Sequence, residues 1–422
     1  MKLSLVLPAL GEAENLAVLL PALKTEIAQA GIDPVEILVV TTARDTSTQS
    51  AAVAQGCRAV IQSKGGYGAA VVDGLRMATG EFIVTMDADL SHAPSVIPAL
   101  WAKRHEAEIV IASRYVEGGT AEMPWSRYVL SRVLNSVFSR GLSLRVGDMS
   151  SGFRLYRAAS LPALEDELPR DFDILQAILV RAYAEGQSVI EVPFAYRPRV
   201  HGQSHARVMK FGVAYARTFW SLWKLRNSIL CADYDARAHD SVIPLQRYWQ
   251  RMRHKHVVDL IKGQGAVADV GCGSSRIIAA LPKGSVGVDV LFRKLRYARR
   301  FGVPLIQGSG FSLPFRNESF PCVLCSQVIE HVPKESPILR ELIRILKPGG
   351  RLVLGTPDYA NWEWLVTESL YGFFAPGAYA DEHIAHYTRE ELIKHFEQKG
   401  FTHEATRYIL RGELILAFRK GR

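Results

Sequence analysis

The sequence predicts an α/β protein of two domains, the first built on a mainly parallel sheet. Three observations carry this. Short apolar, β-branched runs alternate with helix-length stretches along both halves of the chain. Two glycine-bearing turns, Gln62–Gly68 and Gly271–Gly273, stand beside such runs. Several runs end in carboxylates, at Asp87, Asp89, Asp269 and Asp289. In sheets of this kind ligands bind beyond the carboxyl ends of the strands, so those residues become the first candidates for a site.

In order, Leu3–Leu7 reads as a strand, and Gly11-Glu-Ala-Glu-Asn15 opens a helix running to Leu23. Val35–Val40 is a second strand. The glycine loop Gln62–Gly68 leads into a helix over Ala69–Ala78. Phe82–Met86 is an apolar strand, followed by a helix from Ser95 and a strand over Ile109–Ala112. Val208–Leu230 has helical periodicity: Val208, Phe211, Tyr215, Phe219 and Leu222 share one face, Lys210, Arg217 and Lys224 lie opposite, and Trp220 and Trp223 flank the apolar side. That pattern suits a helix lying on an anionic membrane surface, or one packed on its own domain. Ala232–Asp240 is polar without clear periodicity and reads as a linker into a helix over Leu245–Ile261. A second α/β pattern then begins with the strand Ala266–Val270, the turn Gly271-Cys-Gly273 and a helix from Ser274. The expected boundaries are 1–230, 231–255 for the linker and connecting helix, and 256–422.

Composition narrows the function. A chain of 422 residues holds about two or three domains, and its apolar content supports a core in each. No apolar run is long enough to span a bilayer. The first residues run straight into a strand and a turn with Glu12 and Glu14, unlike a signal peptide. Five cysteines with irregular spacing make no disulfide framework, and Cys322-Val-Leu-Cys325 is an apolar strand pattern with no second pair to complete a metal site. A reducing cytosol fits, with the cytoplasmic membrane face as the place of contact with lipid. The net charge of +9 asks for an anionic partner. Between Glu191 and Asp233 there is no acidic residue, yet Arg197, Arg199, Arg207, Lys210, Arg217, Lys224 and Arg226 fall there. No nucleic-acid module is visible, and no nucleic-acid partner is expected.

Asp87 and Asp89 carry the most chemistry. Residues two apart in extended chain point the same way, so two carboxylates stand together at a strand end and repel each other unless a cation lies between them. Hard divalent ions are held in this way, by one or two carboxylates plus substrate phosphates.

Leu5-Val-Leu-Pro8 with Glu12-Ala-Glu-Asn15, Gly66-Tyr-Gly68, Asp87-Ala-Asp89-Leu-Ser-His-Ala-Pro94 and Ser113-Arg-Tyr115 resemble the family-2 glycosyltransferases of GT-A, Rossmann-like fold. Asp148–Tyr156, Val192-Pro193 and Arg199–Ser204 narrow the resemblance to the polyprenyl (dolichol)-phosphate mannosyltransferase type, over roughly the first 225 residues. The resemblance implies a nucleotide-sugar donor, a lipid-phosphate acceptor at a membrane surface, and inverting transfer. It implies that Asp87 and Asp89 hold Mg2+ or Mn2+ on the donor diphosphate, and that Pro8, Glu12, Gly66 and Gly68 belong to the donor site. Arg114, Arg127, Ser131 and Arg199 match positions that contact phosphates. An acceptor phosphate is already ionised at pH 7, so such a site needs cations to neutralise crowded charge rather than a general base. The chain departs from the family at Ala9-Leu10-Gly11, at Thr41-Thr42, where an acidic pair is usual (Asp45 lies further on), and at His205, where lysine is usual. The donor base, guanine or uracil, stays open.

Asp269-Val-Gly-Cys-Gly273, Asp289, Leu313-Pro-Phe315, Val328-Ile-Glu-His331 and Leu346-Lys-Pro-Gly-Gly350 resemble class I methyltransferases that use S-adenosylmethionine, also Rossmann-like, over about 256–422. Asp289 stands about twenty residues past the first strand, where a carboxylate meets ribose. The resemblance puts Asp269, Gly271 and Gly273 against the methionine portion of the cofactor, Asp289 on both ribose hydroxyls, and Ser309 where an adenine-binding aspartate is common. Methyl transfer from a sulfonium needs alignment, and a base helps when the acceptor is a hydroxyl. Glu382-His383-Ile-Ala-His386-Tyr387 supplies His383 and His386 for that role; Thr388 beside it reads as a helix cap. Tyr359–Trp364 and Tyr371–Tyr379 are aromatic-rich enough to shape an acceptor pocket. The sum is a bifunctional enzyme; the alternative is one activity beside a non-catalytic binding scaffold.

Overall fold

The computed structural model describes residues 2–164, 168–198, 208–241, 243–366 and 383–422. It divides into two compact units, residues 1–183 with 187–223, and 184–186 with 224–422.

The strands of the first unit are β1 (Leu3–Pro8), β2 (Val35–Thr41), β3 (Arg58–Ile61), β4 (Phe82–Thr85), β5 (Ile109–Ser113), β6 (Thr120–Ala121), β7 (Arg154–Arg157), β8 (Val189–Pro193) and β9 (Ala195–Tyr196). Seven form one sheet in the order β3-β2-β1-β4-β7-β5-β8, and β6 pairs with β9 apart from it. Apart from Ser4, β1 is apolar on both sides because both faces are covered. Leu3, Leu5 and Leu7 enter a core with Leu16, Leu20 and Leu23 of the helix Ala13–Gln29. Val6, pointing the other way, meets Gly74 of the helix Tyr67–Met77, where any Cβ would overlap it. The expected mainly parallel sheet needs one correction: β7 runs antiparallel to both β4 and β5. Its polar ends, Arg154 and Arg157, hid it from an apolar-run reading. Arg154 is fully buried and donates to the carbonyls of Ser151 (2.7 Å), Leu175 (2.7 Å) and Met149 (2.6 Å), which makes its burial tolerable.

The second unit contains β10 (Val267–Val270), β11 (Val286–Asp289), β12 (Leu305–Gln307), β13 (Phe320–Ser326), β14 (Leu346–Pro357), β15 (Phe401–Ile409) and β16 (Glu413–Lys420). The order is β12-β11-β10-β13-β14-β16-β15. The first five are parallel, and β16 alone runs against them, pairing antiparallel with β14 on one side and β15 on the other. The strand order reverses at β10, so the loops after β10 and β13 part there and leave a crevice. Two expectations are corrected here. The segment after Gly273 forms a 3-10 turn, Arg276–Ala280, and no α-helix, since Pro282-Lys-Gly284 follows within one turn. The stretch 232–240 is structured as the helix Tyr234–His239, with Tyr234, Ala236 and Ala238 buried. Small alanines hid its packed side. At its start Arg226, 1% exposed, forks onto Asp233 through two 2.7 Å hydrogen bonds. All five cysteines are free and buried.

Candidate active sites

Asp87 and Asp89 follow β4 directly, at its carboxyl end. The Asp87 side chain is 29% exposed and accepts from the Tyr67 hydroxyl at 2.9 Å. Its backbone N–H donates to Nδ1 of His92 at 2.9 Å, which leaves the His92 proton on Nε2, 3.8 Å from Asp87 Oδ2. Burial lowers the His92 pKa and keeps the ring neutral. The ring stacks on Phe153 at 5.1 Å, so Asp87 is steered by a fixed imidazole. Asp89, 7% exposed, accepts from the Ser91 N–H (3.1 Å) and hydroxyl (2.5 Å) through Oδ1. This oxygen-only donor set suits a hard divalent ion.

Tyr67 reaches Asp87 because Gly66 and Gly68 let the chain pass under residues 169–171. The Gly68 N–H donates to the Arg170 carbonyl at 2.7 Å, and a Cβ there would stand 2.6 Å from the Pro169 oxygen. These glycines shape the turn through protein contacts. At the end of β1, the Glu12 N–H donates to Thr48 Oγ1 at 3.1 Å, and the Glu12 carboxylate accepts from Asn15 at 2.5 Å. Asp45 fills the neighbouring loop. Burial would raise its carboxyl, but hydrogen bonds from the Gly11 N–H, Thr48 and Thr41 outweigh this and hold it at about 2.

The predicted phosphate-contacting residues divide. Arg114 is clamped on fully buried Asp148, with Nε to Oδ2 and Nη2 to Oδ1 both at 2.7 Å, and Nη2 also meets Ser150 at 2.7 Å. Burial pushes the Asp148 carboxyl up, yet Arg114 outweighs it and the net shift is downward. Arg114 therefore organises the 148–150 loop, together with Asn135, whose Oδ1 accepts from the N–H groups of Met149 (2.7 Å) and Ser150 (3.1 Å). Ser131 accepts from the Tyr115 hydroxyl at 2.7 Å. Arg127 is exposed in the first turn of the helix Trp125–Gly141. Arg199 lies outside the described residues.

That helix revises the reading of Val208–Leu230, which is helical over Val208–Asn227. Its apolar side, where described, is packed: Phe219 and Tyr215 meet Phe138 edge-on at 5.2 and 5.9 Å, and Leu222 is 4% exposed. The exposed apolar row belongs to Trp125–Gly141, where Trp125, Leu130, Val133, Leu134 and Val137 face solvent beside Arg127, Arg132 and Arg140.

In the second unit Asp269 and Asp289 end the adjacent strands β10 and β11. Burial first, and then Asp289, raise the Asp269 pKa to about 8. Asp289 is raised too, by burial, against hydrogen bonds from the N–H groups of Leu291 and Gly273, both 2.8 Å. Gly271 and Gly273 adopt φ of +76° and +55°, open chiefly to glycine. A Cβ on Gly271 would overlap Val328, and one on Gly273 would stand 2.6 Å from Asp235 Oδ2. Asp235, from the supposed linker, also accepts from the Ser274 N–H (3.1 Å) and from buried Lys294 (3.0 Å). It braces the loop and was not legible as a site residue. Ser309 is exposed, and its Oγ accepts from the Phe311 N–H at 3.1 Å, within its own turn.

His383 and His386 both meet Tyr359, in different ways. His383 lies at 2.8 Å from the Tyr359 hydroxyl and 5.0 Å, ring to ring, from His331. Exposed His386 stacks on Tyr359 at 4.0 Å. Burial raises Glu330, next to His331, to about 8. Thr388 does cap the following helix, accepting from the Glu391 N–H at 3.3 Å. Glu382 and Tyr371–Tyr379 lie outside the described residues.

Residues 4–164 match the family model of glycosyl transferase family 2, and residues 268–354 that of a methyltransferase domain. A dolichol-phosphate mannosyltransferase of Pyrococcus furiosus is 32% identical over 238 residues, 54% of this chain and 66% of its own length. A polyprenol monophosphomannose synthase of Mycolicibacterium smegmatis is 36% identical over 151 residues, 34% of this chain and 56% of its own length. The chain thus spans just under two thirds of the one relative and little more than half of the other. A solved S-adenosylmethionine-dependent methyltransferase of Thermotoga maritima is 23% identical, covering 42% of this chain and 94% of its own, with a TM-score of 0.34. The first unit is a GT-A fold and the second a class I methyltransferase fold.

Proposed function

We propose, from a chain that carries a glycosyl transferase family 2 domain followed by a methyltransferase domain, that it is a bifunctional enzyme. The first unit transfers a sugar from a nucleotide-sugar to a polyprenyl-phosphate-type acceptor. The second transfers a methyl group from S-adenosylmethionine. The observation that carries the first reading is the pair Asp87 and Asp89 at the end of β4, steered by Tyr67, His92 and Ser91. They would hold Mg2+ or Mn2+, which supplies charge neutralisation at the donor diphosphate. Arg127 and Ser131, with Arg199, would meet phosphate oxygens. Arg114 acts one step back, by fixing the 148–150 loop. The two relatives, a dolichol-phosphate mannosyltransferase and a polyprenol monophosphomannose synthase, support a polyprenol-phosphate acceptor. Incorporation of labelled sugar from GDP- or UDP-sugars into polyprenyl phosphate, with Mg2+ or Mn2+, tests this. Folded protein that transfers from neither nucleotide would overturn it.

A lipid-linked acceptor calls for a membrane surface, and the exposed row Trp125, Val133 and Val137 with Arg127, Arg132 and Arg140 is the contact we assign. Among the described residues no helix is long and apolar enough to cross a membrane. The protein is expected to bind phosphatidylglycerol-containing vesicles and to leave them at high salt. Val133→Asp should weaken sedimentation with vesicles at least about tenfold, from lost apolar contact and added repulsion. Equal binding of that variant would remove the helix from the interface.

For the second unit, buried Asp289 is the cofactor-holding residue, with Asp269, Gly271 and Gly273 forming the adjoining turn. Hydrogen bonds to charged acceptors contribute roughly 1.5–3 kcal/mol each. Asp289→Ala is therefore expected to weaken S-adenosylhomocysteine binding at least about tenfold in calorimetry, and Asp289→Asn less. Unchanged affinity in the alanine variant would move the ribose site elsewhere.

A further inference from the structure

We propose that Glu330, His331 and His383 hold a divalent transition-metal ion in the second unit, and that this ion binds an oxygen of the methyl acceptor. The ion's role rests on the methyltransferase reading; its binding does not. Glu330 and His331 lie in the 3-10 turn Ile329–His331 that follows β13. His383 arrives from a segment 52 residues later in the chain, tied down where the N–H groups of Ile384 and Ala385 donate to the Glu330 carbonyl at 2.8 and 3.0 Å. One ligand atom from each of the three side chains lies within 4.8 Å of the others, close enough for a single ion to reach all three.

The carboxylate gives the second, independent reason. Glu330 is fully buried, and among the other described residues only the Thr356 hydroxyl stands near enough to donate to it, short of a well-formed hydrogen bond. With one proton that hydroxyl can serve at most one of the two oxygens. An ionised buried carboxylate this short of donors is costly, and a bound cation removes the cost. Two imidazoles and one carboxylate favour borderline first-row ions over Mg2+ or Ca2+, which prefer oxygen throughout. A His2Glu set with open positions is a catalytic zinc arrangement. Tyr359, 2.8 Å from His383 Nδ1, orients that ring from the outer shell; with the proton on Nδ1, Nε2 is able to ligate.

The location fits an acceptor. Val328, two residues before Glu330, is the side chain that Gly271 packs against, so the three ligands adjoin the loop we assign to the methyl donor. His331 and His383 are partly buried, and three protein ligands leave a tetrahedral ion one further position for an incoming hydroxyl. A hydroxyl bound to the ion loses its proton more readily. Its oxygen then attacks the methyl carbon and the sulfur–methyl bond breaks with its electrons left on sulfur. The products are a methyl ether, S-adenosylhomocysteine and a proton released to solvent.

The full chain, stripped with chelator and desalted, should bind Zn2+ in calorimetry, and metal analysis should find one ion per chain dependent on this site. His383→Ala and His331→Ala should each weaken it at least about a hundredfold, while Asp87→Asn should not. S-adenosylhomocysteine binding, measured on the same samples, reports that the second unit is folded. Samples that bind S-adenosylhomocysteine but no Zn2+, or a His383→Ala protein that binds Zn2+ as tightly as wild type, would overturn the site while sparing the methyltransferase reading. Zn2+ binding lost with His383 in a protein that never binds S-adenosylhomocysteine would sustain the ion site and overturn its role in methyl transfer.

Discussion

Asp89→Asn is expected to lower sugar transfer at least about a thousandfold, beyond the 10–100-fold typical of losing an outer-shell partner. The amide keeps the shape of the side chain, and its oxygen can still accept from the Ser91 N–H and hydroxyl. What disappears is one of two charges at the end of β4. The ion and diphosphate proposed there would need both carboxylates, since the remaining Asp87 already serves Tyr67. S-adenosylhomocysteine binding should be unchanged, because Asp289 and its loop belong to the second unit. The paired measurement is the check: labelled sugar transfer across a range of Mn2+ concentrations, and calorimetry on the same preparation. Transfer near the wild-type rate at any metal concentration would remove Asp89 from the site.

Arg253→Ala should destabilise the second unit by about 3–5 kcal/mol, the cost of orphaning one member of a buried ion pair. Glu413, with no exposed side-chain surface, begins β16 and accepts from Arg253 Nε at 2.6 Å and Nη2 at 2.5 Å. The Trp249 indole N–H donates to it as well. Both donors come from the helix Pro244–Ile261. With the scaling for a unit of this size, the thermal midpoint should fall by roughly 6–20 °C. Scanning calorimetry reads this, and stabilisation by S-adenosylhomocysteine identifies which transition belongs to the second unit. Replacing both partners by apolar residues, Arg253→Met with Glu413→Leu, should be far milder. A loss below about 1 kcal/mol in the single variant would mean that Glu413 is hydrated after all. A fragment starting at residue 256 removes Trp249 and Arg253 together, along with Asp235 beneath the glycine loop, and is expected to fold poorly.

Arg114 and the apolar helix face mark how far residue patterns reach. The motif around Arg114 marks it for phosphate contact, but its partner Asp148 stands 34 residues away, and only the folded chain shows its fork already filled. The apolar stripe of Val208–Asn227 is real, yet periodicity reports only that a face is apolar. Phe138 packed against Phe219 and Tyr215 decides that the stripe meets protein, and leaves the helix Trp125–Gly141 with the exposed row.

The sequence by itself determined the two α/β units, the strands β1, β4, β10 and β11, the carboxylates that end three of them and the glycine turns beside them. These features are local: strand period, β-branched runs and glycine at tight turns act within a few residues of one another. Tertiary structure alone decided the antiparallel β7, the seat of Asp235 under Gly273, the Arg253–Glu413 pair and the meeting of Glu330, His331 and His383. Each joins residues far apart in the chain, and each includes a charged or polar group that the fold buries. A charge in a dry interior is stable only where another segment brings its partner, and no spacing along one stretch of sequence records which segment that will be.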